Sequence, residues 1–167
     1  MVASVIGHLP CLELLFTNPK IEINAIDEKT GCNSFWLATM YGKGKAMNFL
    51  ASNGIDIYNK DKESGNNALH VAIQRKNYDV ASMLIQSGFP LDQVNKSGLT
   101  ALILASSESG SYQISTKLIN AGAEINHFSD NGHSALSQAV IQNDPKLAEF
   151  ILKKGGLIFI KEEKFRD

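Results

Sequence analysis

The chain has 167 residues, the length of one ordinary domain. It is 44% hydrophobic and 20% charged, with 16 basic against 17 acidic residues and a formal net charge of −1. This balance excludes a disordered chain, a nucleic-acid binder working by bulk charge, and a polybasic membrane anchor. No apolar run approaches the ~20 residues of a membrane span. Cys11 and Cys32 are too few for a disulfide scaffold and fit a reducing compartment. Residues 2–9 are mildly apolar, but no basic residue precedes them as in a secretory signal. The expected setting is therefore intracellular: cytoplasmic first, with the nucleus or an organelle-associated assembly as alternatives.

The chain repeats itself from its start. A partial copy over residues 1–24 opens it, with Ala3, Gly7, Leu12 and Leu14-Leu15 in phase with the later copies. Full copies run over about 25–58, 59–92, 93–126 and 127–156. Their closing glycines are Gly54, Gly88, Gly122 and Gly155, at intervals of 34, 34 and 33. Their internal alanines are Ala38, Ala72, Ala105 and Ala139, at 34, 33 and 34, and Ala3 lies 35 before Ala38. Such a period means stacked supersecondary units. The third full copy carries one extra residue near Ser109.

Each unit reads as two short helices. In the second full copy Leu69, Ala72 and Ile73 share one helical face, and Val80, Met83 and Leu84 another. Asn66 or Asn67 caps the first helix, and Asp79 lies in the opening turn of the second. In the last copy Asp144 is an N-cap followed by Pro145 at the first helical position; Pro10 holds that phase in the opening copy. The closing glycines fit the left-handed position past a helix end. Polar turns ending in Gly31, Gly65, Gly98 and Gly132 join the units.

The period leaves two readings. Tetratricopeptide repeats share it but want Trp, Gly and Tyr at fixed places and lack the Gly-ended turn. The chain instead resembles ankyrin repeats, through Ala68-Leu69-His70-Val71-Ala72, Gly122-Ala123-Glu124-Ile125-Asn126 and Gly54-Ile55-Asp56-Ile57. The resemblance covers residues 3–156. It departs from the family pattern where Ser34, Ala68, Ala101 and Ala135 replace its proline, and where Trp36, Ile103 and Ser137 replace its histidine. The resemblance implies an all-α solenoid of paired antiparallel helices joined by hairpin-like turns, with residues 1–156 as the repeat domain. Residues 157–167 are then a tail or cap, in which the apolar residues 157–160 fold back over Ala148 and Ile151 or pair with a partner as a strand. Apolar, unprotected ends point to a fragment or to a subunit covered in an assembly.

Chemistry-bearing motifs are scarce. The sequence has no Gly-x-Ser-x-Gly, His-Glu-x-x-His or P-loop. Residues 42–45 lack the Walker spacing and read as the turn between paired helices. His127, Asp130 and His133 lie close together but lack a fourth zinc ligand and read as turn residues. Cys11 is expected to pack as a small apolar side chain and Cys32 to be half-exposed. Neither a metal nor a cofactor is expected.

What remains is binding surface. The resemblance implies that the turns project as fingers, that the first helices line a concave groove, and that a partner touches both. By position, the groove residues are Met40 and Tyr41, then Gln74 and Arg75, Ser107 and Glu108, and Ile141 and Gln142. The finger residues include Ile26 and Glu28, then Lys60 and Lys62, Val94 and Lys96, and Phe128 and Asp130, with Leu99 and His133 just after turn glycines. Tyr41, Arg75 and Phe128 are the leading contacts, because aromatics and arginine dominate binding hot spots. Trp36 is expected to pack between repeats. The expected function is non-catalytic protein–protein interaction, as a scaffold or subunit of a larger assembly. The alternatives are a soluble regulator, similar in size to ankyrin-type inhibitors of cyclin-dependent kinases, and the targeting module of a longer enzyme. Partners are other proteins; nucleic acid, membrane insertion and a small-molecule substrate are not expected.

Overall fold

Four side chains at one register start the first helices of the full units. Asn33, Asn67, Thr100 and Ser134 are N-caps whose side-chain oxygens accept from the backbone N–H three residues on. At two of them the third residue reciprocates: His70 and Ser137 accept from the capping residue's own N–H. Asp144 caps the last helix with Pro145 behind it. The closing glycines Gly54, Gly88, Gly122 and Gly155 all sit in the left-handed region.

The computed structural model describes residues 1–158. The chain forms α1 (Val2–Ile6), α2 (Leu9–Phe16), α3 (Ser34–Met40), α4 (Gly44–Ser52) and α5 (Ala68–Gln74). It continues through α6 (Tyr78–Gln86), α7 (Ala101–Ser106), α8 (Tyr112–Asn120), α9 (Ala135–Ile141) and α10 (Pro145–Lys153). Among the described residues the one extended pairing is an isolated bridge between Ile26 and Asn33. The extra residue near Ser109 falls in the α7–α8 connection, the longest of the loops inside a hairpin.

The helices pair in sequence and the pairs stack. First helices contact one another in the order α1, α3, α5, α7, α9, and second helices in the order α2, α4, α6, α8, α10. The small side chains Ala38, Ala72, Ala105 and Ala139 are 0% exposed, which lets neighbouring first helices approach. One continuous apolar core runs from Leu12 through Leu50, Leu84 and Leu118 to Ile151.

The two cysteines reverse their expected environments: Cys11 is exposed and Cys32 is buried. Cys11 stands 35 residues before Ala46, and Val80, Ile114 and Leu147 continue that register. Those four are buried. Val80 and Met83 face the preceding α4, since a Cβ on Gly44 would meet both. No hairpin precedes α2 among the described residues, so Cys11 keeps its solvent. Cys32 lies under the turn that follows Asp27 and against Trp36 and Val71. Its Sγ reaches Thr30 O at 3.7 Å, and burial pushes its thiol pKa up.

Leu157 and Ile158 are both exposed. Leu157 is tied to the third full unit by its N–H, which donates to Asn126 Oδ1 at 2.8 Å. The rest of the expected tail or cap, residues 159–167, lies outside the described residues.

Candidate functional site

The finger turns are built from short polar side chains that hydrogen-bond locally. Asp27 Oδ1 accepts from Thr30 N at 2.8 Å and Thr30 Oγ1 at 2.7 Å, which holds its carboxyl pKa below the usual range. Asp61 accepts from Ser64 N and Asn66 N, both at 2.7 Å, and Asn95 accepts from Ser97 N and Leu99 N. Adjacent fingers are then laced by backbone bonds: Lys62 N to Thr30 O at 2.8 Å, Lys96 N to Ser64 O at 2.9 Å, and Asp130 N to Ser97 O at 3.1 Å.

The finger lysines add to this lacing. Lys62 Nζ donates to Glu28 O at 2.9 Å, Lys96 Nζ to Lys62 O, and Lys60 Nζ to Val94 O at 3.0 Å. Three of the expected partner contacts thus tie one finger to the next. Each binds its neighbour's carbonyl through the tip of a long side chain, so its flank stays at the surface.

Between the first two full fingers and their helices lies a groove of about 420 Å³. Trp36, Leu37, Met40 and Tyr41 of α3 and its end line it, facing Val71, Gln74 and Arg75 of α5 and its end. Lys29, Glu63 and Ser64 of the fingers form the other wall. Its floor is a small apolar cluster separate from the main core: Cys32, Trp36 and Val71 are buried, with Leu37 and Met40 packed on them. Four residues expected to bind a partner, Met40, Tyr41, Gln74 and Arg75, therefore share one recess. Tyr41 is 50% exposed at its rim.

A polar chain fixes the floor. Trp36 Nε1 donates to Asn66 O at 2.9 Å across two hairpins. Asn66 Nδ2 donates to Gln74 Oε1 at 3.0 Å, and Asn95 Nδ2 to Asn66 Oδ1 at 2.9 Å. Trp36 thus packs between units, at the position that His70 holds one unit later. His70 is 0% exposed and its Nε2 faces Leu99 O at 2.9 Å. Its Nδ1 lies 3.3 Å from Asn67 N and 2.6 Å from Asn67 Oδ1. Burial lowers its pKa to about 4, opposed by the bond to Leu99.

The other expected contacts are spread out. Glu108 and Gln142 line a second recess of about 290 Å³ near the α7–α8 loop, and Glu108 pairs with Lys76 at 3.3 Å. Ser107 Oγ donates to Leu104 O. Leu99 is partly buried against the core. Ile26, Val94 and Phe128 are exposed apolar side chains on the fingers, and Asp130 is exposed beside Gly98. Ile141 and His133 belong to a third recess, of about 480 Å³, at the α9–α10 end. His127 Nε2 faces Gly98 O at 3.1 Å. Among the described residues no group of three or more His, Cys, Asp or Glu is placed to hold a metal ion. The groove wall formed by Lys29 and Glu63 was not expected; their place in the Gly-ended turns was the signal that marked them.

No helix among the described residues is long and apolar enough to cross a membrane. No curated protein matches the chain. A family model described as ankyrin repeats (3 copies) matches residues 1–93 and again residues 84–161. With stacked helix pairs, capped first helices and laced fingers over the same span, the chain belongs to the ankyrin repeat family.

Proposed function

We propose that this chain is a non-catalytic interaction module that holds a protein partner in the groove between its first helices and fingers. Ankyrin repeats generally mediate protein–protein interaction. The observation that carries the reading is the recess at α3 and α5, where Tyr41 and Arg75 stand at the rim of an apolar floor formed by Trp36, Val71 and Met40. Aromatic and arginine side chains over a packed apolar floor are the composition of a binding hot spot. The partner places an apolar side chain on that floor, and Phe128 and the outer flanks of Lys60, Lys62 and Lys96 extend the contact along the fingers. The module serves as a scaffold or accessory subunit of an intracellular assembly.

The test is native capture of the tagged protein, followed by size fractionation and mass spectrometry, beside the Tyr41→Ala/Arg75→Ala variant. Both side chains are exposed, so the variant keeps its melting temperature within a few degrees. Recovery of the parent in a large particle at fixed stoichiometry, lost in the variant, supports the reading. Recovery with a single substoichiometric partner replaces the subunit role with that of a soluble regulator. Undiminished recovery by the variant sinks the groove as the binding site.

A further inference from the structure

We propose that the groove at α3 and α5 takes an acidic protein segment, with one large apolar side chain on the floor and carboxylates beside it against Gln74 and Arg75. The inference rests on the groove reading and deepens it by naming the chemistry of the occupant.

The polarity of the groove is set outside it, in the third full finger. Asn95 Oδ1 accepts from two backbone groups, Ser97 N at 2.9 Å and Leu99 N at 3.1 Å. A backbone N–H only donates, so the Asn95 amide has one possible orientation. Its Nδ2 therefore donates to Asn66 Oδ1, at 2.9 Å. Asn66 is thereby oriented too, and its Nδ2 donates to Gln74 Oε1 at 3.0 Å. Gln74 turns its oxygen to Asn66, which leaves its NH2 free. Gln74 is exposed and lines the groove. Among the described residues nothing accepts from Gln74 Nε2, so the relay ends in a donor open to a ligand.

The next residue adds charge. Arg75 is exposed, and its guanidinium meets no carboxylate among the described residues. Glu108, one unit on, pairs with Lys76 at 3.3 Å instead. Two acceptors at the end of α3 are covered, because Asn77 Nδ2 donates to Thr39 O at 3.2 Å and Met40 O at 2.8 Å. The finger wall is balanced by comparison. The Asp61 carboxylate is bound to Ser64 and Asn66 within its own turn, and Lys29 and Glu63 hold one register of adjacent fingers with opposite signs. The free charge of the groove is thus Arg75, next to the outward NH2 of Gln74. Such a pair suits a carboxylate, which only accepts and can bind a guanidinium through two parallel bonds. A basic segment would set like charges against Arg75 and leave the Gln74 donor unmet. Trp36, Val71 and Met40 receive the apolar side chain in the same groove.

The experiment pans a displayed random dodecapeptide library on the full chain, after depletion on the Tyr41→Ala/Arg75→Ala variant. Enriched peptides are expected to share one Phe, Leu or Met with Asp or Glu on one side of it. A Trp-free peptide of that consensus is then titrated against the fluorescence of Trp36, the only tryptophan of the chain. Gln74→Glu keeps the acceptor for Asn66 Nδ2 and replaces the outward donor with a carboxylate. It is expected to weaken the peptide roughly tenfold or more, as is Arg75→Glu. Circular dichroism melts verify folding, and Arg75→Glu alone decides if Gln74→Glu does not fold. Enrichment without an acidic preference, or with Lys or Arg in its place, overturns the proposal and leaves the groove reading standing. Unchanged affinity in the folded variants does the same. If no peptide survives depletion, the acidic segment is overturned, and native capture then judges the groove itself: loss in Tyr41→Ala/Arg75→Ala keeps it, and undiminished recovery removes both.

Discussion

Ile73→Ala and Val140→Ala trim apolar side chains from the same register of the repeat, and the structure separates their costs. Ile73 is 0% exposed, and Val140 is 64% exposed. Truncating the isoleucine removes three buried carbons, a transfer loss of ~2.4 kcal/mol at ~0.8 kcal/mol each. The cavity left among packed neighbours brings the total to about 3–4 kcal/mol. Truncating the valine removes two carbons that water already largely covers, so about 0.5 kcal/mol is lost. In a chain of this length ~1 kcal/mol shifts Tm by ~2–4 °C, so Ile73→Ala is expected to melt roughly 6–16 °C below the parent and Val140→Ala within about 2 °C. Thermal and urea melts followed by circular dichroism measure both. Equal losses in the two variants would refute the stacking direction, because they would mean that Val140 is covered or that Ile73 is not.

His70 makes stability depend on pH. The folded chain binds its proton only near pH 4, whereas the unfolded chain binds it near 6.5. Between those values protons favour unfolding, so stability is complete above about 6.5 and falls as pH drops towards about 4, by ~3 kcal/mol. Urea melts should show the parent losing that much relative to His70→Gln, and parallel pH profiles would contradict it. Ala72→Arg forces an unpaired charge into a site that is 0% exposed and should abolish cooperative unfolding; a parental melt would break the repeat phase. Gly98 has φ +67, and a Cβ there would lie 2.8 Å from Asp130 N, whereas Gly88 has φ +78 and open space around it. Gly98→Ala should therefore cost more than the ~1 kcal/mol expected for Gly88→Ala, by up to about 2 kcal/mol, and equal losses would show that the fingers are not tightly laced.

Local signals were reliable where the cause was local. Asn67 caps α5 and Asp144 caps α10 because a short side-chain oxygen meets the N–H groups of its own first turn. Gly54, Gly88, Gly122 and Gly155 take the left-handed backbone that the end of each helix requires. Residues 42–45 form the turn between α3 and the start of α4, as their failed match to a phosphate loop implied. The candidate site was legible as a set of positions but not as contacts. Met40, Tyr41, Gln74 and Arg75 are adjacent only pairwise in sequence, and the stacking of α3 on α5 gathers them into one groove. Lys60, Lys62 and Lys96 are expected from sequence as finger contacts for a partner, and only the stacking of the fingers brings the carbonyls of Val94, Glu28 and Lys62 within their reach.

By itself the sequence determined the period, the helix pairs, their caps and the Gly-ended turns, because each arises from residues within one unit and recurs in phase. The tertiary structure alone decided what each register meets. Cys11 and Val140 have the small or apolar character of their buried counterparts and yet stand in solvent. Cys32, beside a polar turn, is covered by Trp36 and Val71 from two successive units. Burial in a stacked chain belongs to the neighbour as much as to the residue: the same side chain is core where a helix pair adjoins it and surface where none does.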